Sequence, residues 1–191
     1  MSSAKPQTQL KLASNKLEYH VAMYVQTYEW LRLLNSAGPL AALITMMYRF
    51  VSWTYRRRFP GFLHLVPNSI EESNAIHARL LIEFLAHSRK TDINAADFFP
   101  VAHPTHPYPL PNSFLKAEKQ QVEQRLIHLT IHAQTQRIDQ IKWPCDQIAV
   151  ELEKELRKFL ITVPQESISH LRLKDQASCL KYLDRLVSAL P

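Results

Sequence analysis

The chain has 191 residues, 46% hydrophobic and 21% charged, with a formal net charge of +6. That length holds one domain with a sizeable core, and the composition excludes a disordered chain. With only two glycines, Gly38 and Gly61, against twelve prolines, the sequence lacks the turn chemistry of a hairpin-rich β fold or a phosphate-binding loop.

The apolar periodicity predicts an all-α protein, a single-domain bundle of about five to six helices over residues 1–191. Residues 1–9 are polar and read as a flexible N-terminus without the apolar run of a leader. The first helix is expected from about Leu10 to Asn35, where Leu17, Val21, Tyr24, Tyr28, Leu31 and Leu34 return at three- and four-residue intervals. Gly38-Pro39 ends it and opens a second helix, Leu40 to Arg57, apolar on most of its surface and expected to be the buried centre of the bundle or a subunit interface. Its apolar run, Leu40 to Trp53, is about 14 residues and contains Arg49, short of the roughly 20 uncharged residues of a membrane span. A cytoplasmic location without a membrane span is the resulting expectation.

A third helix is predicted to begin at a capping box formed by Asn68 with Glu71 or Ser69 with Glu72. Its core face is expected to carry Ser73, Ile76 or His77, Leu80, Leu81, Phe84 and Leu85. Residues 91–112 form a proline-rich connection, with a single turn at Asn94 to Phe99, that acts as a functional loop or as a strap across the surface. A fourth helix is expected from Ser113 to about Ile138, a fifth from Trp143-Pro144 to Val163, and a sixth from Asp175 to Leu190.

Three residue groups could carry chemistry. Arg125, His128 and His132 lie at helical spacing on one polar stripe, where an arginine can hold an RNA phosphate and a histidine can move the 2′-hydroxyl proton. The same two histidines, four apart, could present nitrogens to a transition metal if His64, His77, His103 or His106 supplied a third ligand. A solvated helix face accounts for the stripe equally well, and no metal ligand set is assigned. Arg49, Arg56, Arg57 and Arg58, interleaved with Tyr48, Trp53 and Tyr55, are the densest basic patch and could hold a nucleic-acid backbone; a helix C-terminus attracts arginines for its own reasons. His77, Arg79 and Glu83 interrupt an apolar run and, with Asp92 or Asp97 of the following connection, would make a structural ion-pair cluster or the floor of a pocket. No cofactor is expected, because phosphate loops, dinucleotide fingerprints and serine-nucleophile motifs are absent from the sequence. Cys145 and Cys179, with no CxxC pair, exclude a disulfide framework.

The blocks HARLLIEFL (His77 to Leu85), DINAADFF (Asp92 to Phe99) and HLT (His128 to Thr130), followed by Trp143, resemble a widespread set of uncharacterised bacterial all-helical proteins. The likeness runs in order from about Ser69 to Phe159 and brings no activity with it. More distantly the chain is similar to HEPN domains, helical bundles often found in toxin and phage-defence RNases. Their signature is an arginine and a later histidine with four to six residues between them. Arg125 and His132 have six intervening residues, with Leu126 where the family carries a polar side chain; if His128 is the equivalent histidine, the arginine position holds Gln121, Val122 or Glu123.

Two function classes follow. One is a non-enzymatic macromolecular interaction module, a homodimer or the companion of a protein partner, using the apolar second helix. The alternative that the HEPN resemblance implies is a metal-independent RNase with Arg125, His128 and His132 as its catalytic residues and RNA as its partner. A histidine-liganded metal-binding bundle is the third reading.

Overall fold

The computed structural model describes residues 7–35, 38, 39, 42, 43, 46, 47, 50, 62–86, 93–99, 108, 110, 145–164 and 173–191. Among these the protein is helical with no strand: α1 (Gln7–Asn35), α2 (Phe62–Ala86), a 3-10 turn (Ala95–Phe98), α3 (Cys145–Thr162) and α4 (Leu173–Ala189), with residues 39, 42, 43, 46, 47 and 50 helical besides. The helix expected from Ser113 to about Ile138 lies outside the described residues.

α1 packs on α2 and α4, and α3 packs on α2 and α4. One core cluster joins all four helices. α1 contributes Leu17, Val21, Tyr24, Val25 and Tyr28, while α3 contributes Ile148, Ala149, Leu152, Leu156, Phe159 and Leu160, each following its 3.6-residue period. α4 adds Cys179, Leu183 and Leu186.

α2 departs from expectation at its start and on its buried face. It begins at Phe62, so Asn68 and Ser69 sit inside the helix and not at its cap. An N-cap needs non-helical backbone, whereas the apolar residues from Phe62 onward already extend the helix. It continues through Pro67 at the loss of the one N–H that the carbonyl of residue 63 would have accepted. The buried face carries Asn74, Ala75, His77, Ala78, Leu81, Ile82 and Leu85, while Ile76 and Leu80 are exposed. Small residues decide this. Ala75 and Ala78 let the backbones of α1 and α2 approach, and Asn74 Nδ2 reaches the Tyr24 carbonyl (3.2 Å) and Thr27 Oγ1 (3.2 Å) on α1. Because Asn74 is fully buried, Asn74→Leu would leave the Tyr24 carbonyl and Thr27 Oγ1 without that donor and cost about 1–3 kcal/mol. A lowered denaturant midpoint with an unchanged m-value would register that loss; an unchanged midpoint would show that the helix pair does not depend on this bond.

The proline-rich connection is anchored where it is described. Asn94 caps the 3-10 turn through a capping box, its side-chain oxygen accepting from Ala96 N (3.0 Å) and its own N–H donating to Asp97 Oδ2 (2.9 Å). Leu110 N donates to the Leu85 carbonyl (3.1 Å), one of the acceptors left over in the last turn of α2. Tyr108 Oη donates to the Glu155 carbonyl on α3 (3.2 Å). Phe98, Phe99 and Tyr108 then surround Phe159 with ring centroids 5.7–6.1 Å away, and Phe84 adds a fourth ring at 5.2 Å. These contacts are those of a strap that closes one side of the core.

Candidate functional site

Among the described residues, His77 is the sequence-predicted polar residue that the fold buries. It meets His20 of α1, Nδ1 to Nδ1, at 2.9 Å, with ring centroids 5.1 Å apart and Tyr19 edge-on to both rings. Two acceptor lone pairs or two N–H groups would repel at that distance. One Nδ1 therefore carries a proton and donates, and the other accepts. The rings meet almost head-on, because the centroid separation exceeds the nitrogen separation by nearly two ring radii. Nitrogens sharing a tetrahedral zinc at about 2.0–2.1 Å would stand about 3.3–3.4 Å apart and converge on a third point. The pair is thus a hydrogen bond, and it commits His77 Nδ1 to α1. Both imidazoles are held below the ordinary histidine range, His20 by burial and then by Lys16, His77 by burial and then by His20.

Arg79 and Glu83 do not join His77 in a pocket floor. Positions two apart on a helix point to nearly opposite sides, and Arg79 instead donates from Nε to Glu83 Oε1 (3.1 Å) on the partly exposed face of α2. Asp97 is used in the Asn94 cap, and Asp92 lies outside the described residues. So do Arg125, His128, His132, Arg49, Arg56, Arg57, Arg58, His103 and His106.

A second polar cluster escaped the sequence reading. Asp146, in the first turn of α3, accepts from Tyr28 Oη (2.7 Å) and faces Arg32 Nη1 (3.5 Å) in the last turn of α1, with Cys145 Sγ 3.7 Å from the same carboxylate. Acid at a helix start and base at a helix end are each stabilised by the helix dipole, and that pairing was the available signal. Burial and Asp146 push the Tyr28 hydroxyl up, and they raise the Cys145 thiol to about 11. A thiol that far above neutrality stays protonated and is no nucleophile. The cluster ties α1 to α3. A surface depression of about 420 Å³ between α1 and α4 has charged lining residues held in ion pairs, Arg185 donating to Glu29 (3.0 Å) and Asp184 accepting from Arg157 beside it (2.9 Å).

Among the described residues, four exposed apolar side chains lie together on the stretch expected to be central or a subunit interface. Its described positions Ala42, Leu43, Met46, Met47 and Phe50 are helical and exposed, with Ala42 N bonded to the Gly38 carbonyl (3.0 Å). Leu43, Met46, Met47 and Phe50 keep 52, 70, 62 and 68% of their surface in solvent. Their spacing of i, i+3, i+4 and i+7 puts all four on one helical face. At these described positions the expectation of a buried centre is not met, since the core cluster does not include them, and an exposed apolar face is what the subunit-interface alternative requires. Among the described residues no helix is long and apolar enough to cross a membrane. Comparison with protein-family models, curated proteins and solved structures finds no match to the chain.

Proposed function

We propose that the protein is a non-enzymatic macromolecular interaction module whose contact surface is the Leu43–Met46–Met47–Phe50 stripe. The observation that carries this reading is four large apolar side chains exposed together on one helical face, where singly scattered ones would need no explanation. The two polar clusters support it from the other side. The His20–His77 and Tyr28–Asp146–Arg32 groups use hydrogen bonds to join helices.

The variant Met46→Ser/Met47→Ser/Phe50→Ser tests the reading. Because the three side chains are exposed, its stability should stay within about 0.5 kcal/mol per site of the parent. In gradient sedimentation of unfractionated cell lysate, the parent chain should travel with a complex or with membranes and the variant at the size of a free 22.2 kDa chain. Identical sedimentation of the two would sink the reading. The competing nuclease makes a different demand: end-labelled RNA cut in the presence of EDTA by the parent and left intact by Arg125→Ala/His128→Ala/His132→Ala.

A further inference from the structure

The charge of the chain is segregated onto the segment that carries the stripe. Between Glu29 and Glu71 there is no aspartate or glutamate and no lysine, but there are five arginines, Arg32, Arg49, Arg56, Arg57 and Arg58. Those residues hold five of the six net positive charges of the whole protein, leaving the rest of the chain nearly balanced. Arg32 is engaged by Asp146; the other four fall within or six to eight residues beyond the stripe in sequence. The same segment contains Tyr48, Trp53 and Tyr55, the aromatic types that favour a membrane–water boundary.

We infer that the stripe docks on an anionic lipid bilayer surface, with Leu43, Met46, Met47 and Phe50 entering the headgroup–acyl boundary and the net positive charge of the acid-free sequence around them selecting anionic lipid. The inference rests on the interaction reading above and names its partner. Three arguments select this occupant. A second copy of the chain would bring two segments of like charge face to face, which is unfavourable. Nucleic acid answers the arginines but not the stripe, since leucine and methionine offer neither a planar ring for stacking nor a hydrogen bond for base edges. A bilayer answers both, and an apolar run of about 14 residues interrupted by Arg49 suits a helix lying in the interface better than one crossing it.

The test is co-sedimentation of the purified full chain with vesicles of phosphatidylcholine alone or of phosphatidylcholine with phosphatidylglycerol. Partitioning should rise on the order of a hundredfold on the anionic vesicles, since each basic side chain near such a surface contributes roughly a factor of five. It should fall steeply with added salt. The variant Met46→Ser/Met47→Ser/Phe50→Ser should lose about tenfold or more on the same vesicles, and Leu80→Ser, an exposed apolar site on α2, should not. Equal partitioning on both vesicle types would overturn the inference, as would a stripe variant that binds like the parent. If vesicles fail while the stripe variant still leaves a lipid-free complex in lysate, the bilayer is the wrong partner and the interaction reading stands. If both fail, both fall.

Discussion

Phe159→Ala should destabilise the protein by about 3–5 kcal/mol, the largest single-residue effect expected outside proline substitution. Phe159 is fully buried on α3 and touches four other rings, Phe84 from α2 and Phe98, Phe99 and Tyr108 from the strap. Its removal leaves a cavity that no one element can collapse into, because the rings around it belong to two different segments anchored by their own hydrogen bonds, Leu110 to Leu85 and Tyr108 to Glu155. Edge-to-face geometry adds about 0.5–1.5 kcal/mol per favourable ring pair beyond area burial. Chemical denaturation of Phe159→Ala beside Ile161→Ala separates core from surface. Ile161, two residues on and 66% exposed, should change stability by no more than about 0.5 kcal/mol. Similar losses at the two sites would contradict the strap as a load-carrying part of the core.

Acidification should weaken the α1–α2 contact through His20 and His77. Both are held below the ordinary value of 6.5, with burial the first cause in each. The unfolded chain therefore takes up protons that the folded chain does not, and stability falls with falling pH. The contribution is fully present above pH 6.5 and is lost as pH drops below it toward the folded values. Lys16 is the charged neighbour on α1 that acts on the pair, and it opposes a further positive charge. The pair accommodates one added proton at an outer nitrogen, but a second would set two Nδ1–H donors against each other at 2.9 Å. Breaking the bond to relieve that costs about 1–3 kcal/mol. Denaturant midpoints measured from pH 7 down to about 5, above the carboxylate range, should decline in the parent. They should decline less in His20→Gln/His77→Gln, whose amides do not titrate. Parallel pH profiles would remove the histidine pair from the account.

How much of this was legible depends on the residue. The faces of α1 and α3 were readable because their polar positions leave a single apolar stripe, Leu17–Val21–Tyr24–Tyr28 and Ile148–Leu152–Leu156–Phe159. α2 was not, since Ile76 and Leu80 extend its apolarity around the helix, and the choice between faces was made by Ala75, Ala78 and the Asn74 bond to α1. The turn at Ala95–Phe98 announced itself through Asn94 and Asp97, which carry their partners within three residues. His20 and Asp146 were hard to place as site residues for the opposite reason: their partners His77, Tyr28 and Arg32 are 57 to 118 positions away, and only the helix-end charges of Asp146 and Arg32 hinted at the second group. The apolar segment after Gly38 was read as either central or a subunit interface because hydrophobicity reports the wish to be covered and not what does the covering.

That exposed stripe is the central claim, and site-directed photocrosslinking in living cells tests it most directly. A photoreactive side chain would replace Met47 in one chain and Ile161, equally solvent-exposed on α3, in another. The account predicts discrete adducts to a macromolecule or lipid from position 47 and none of the same adducts from position 161. Adducts that are the same from both positions, or absent from position 47 alone, would contradict it.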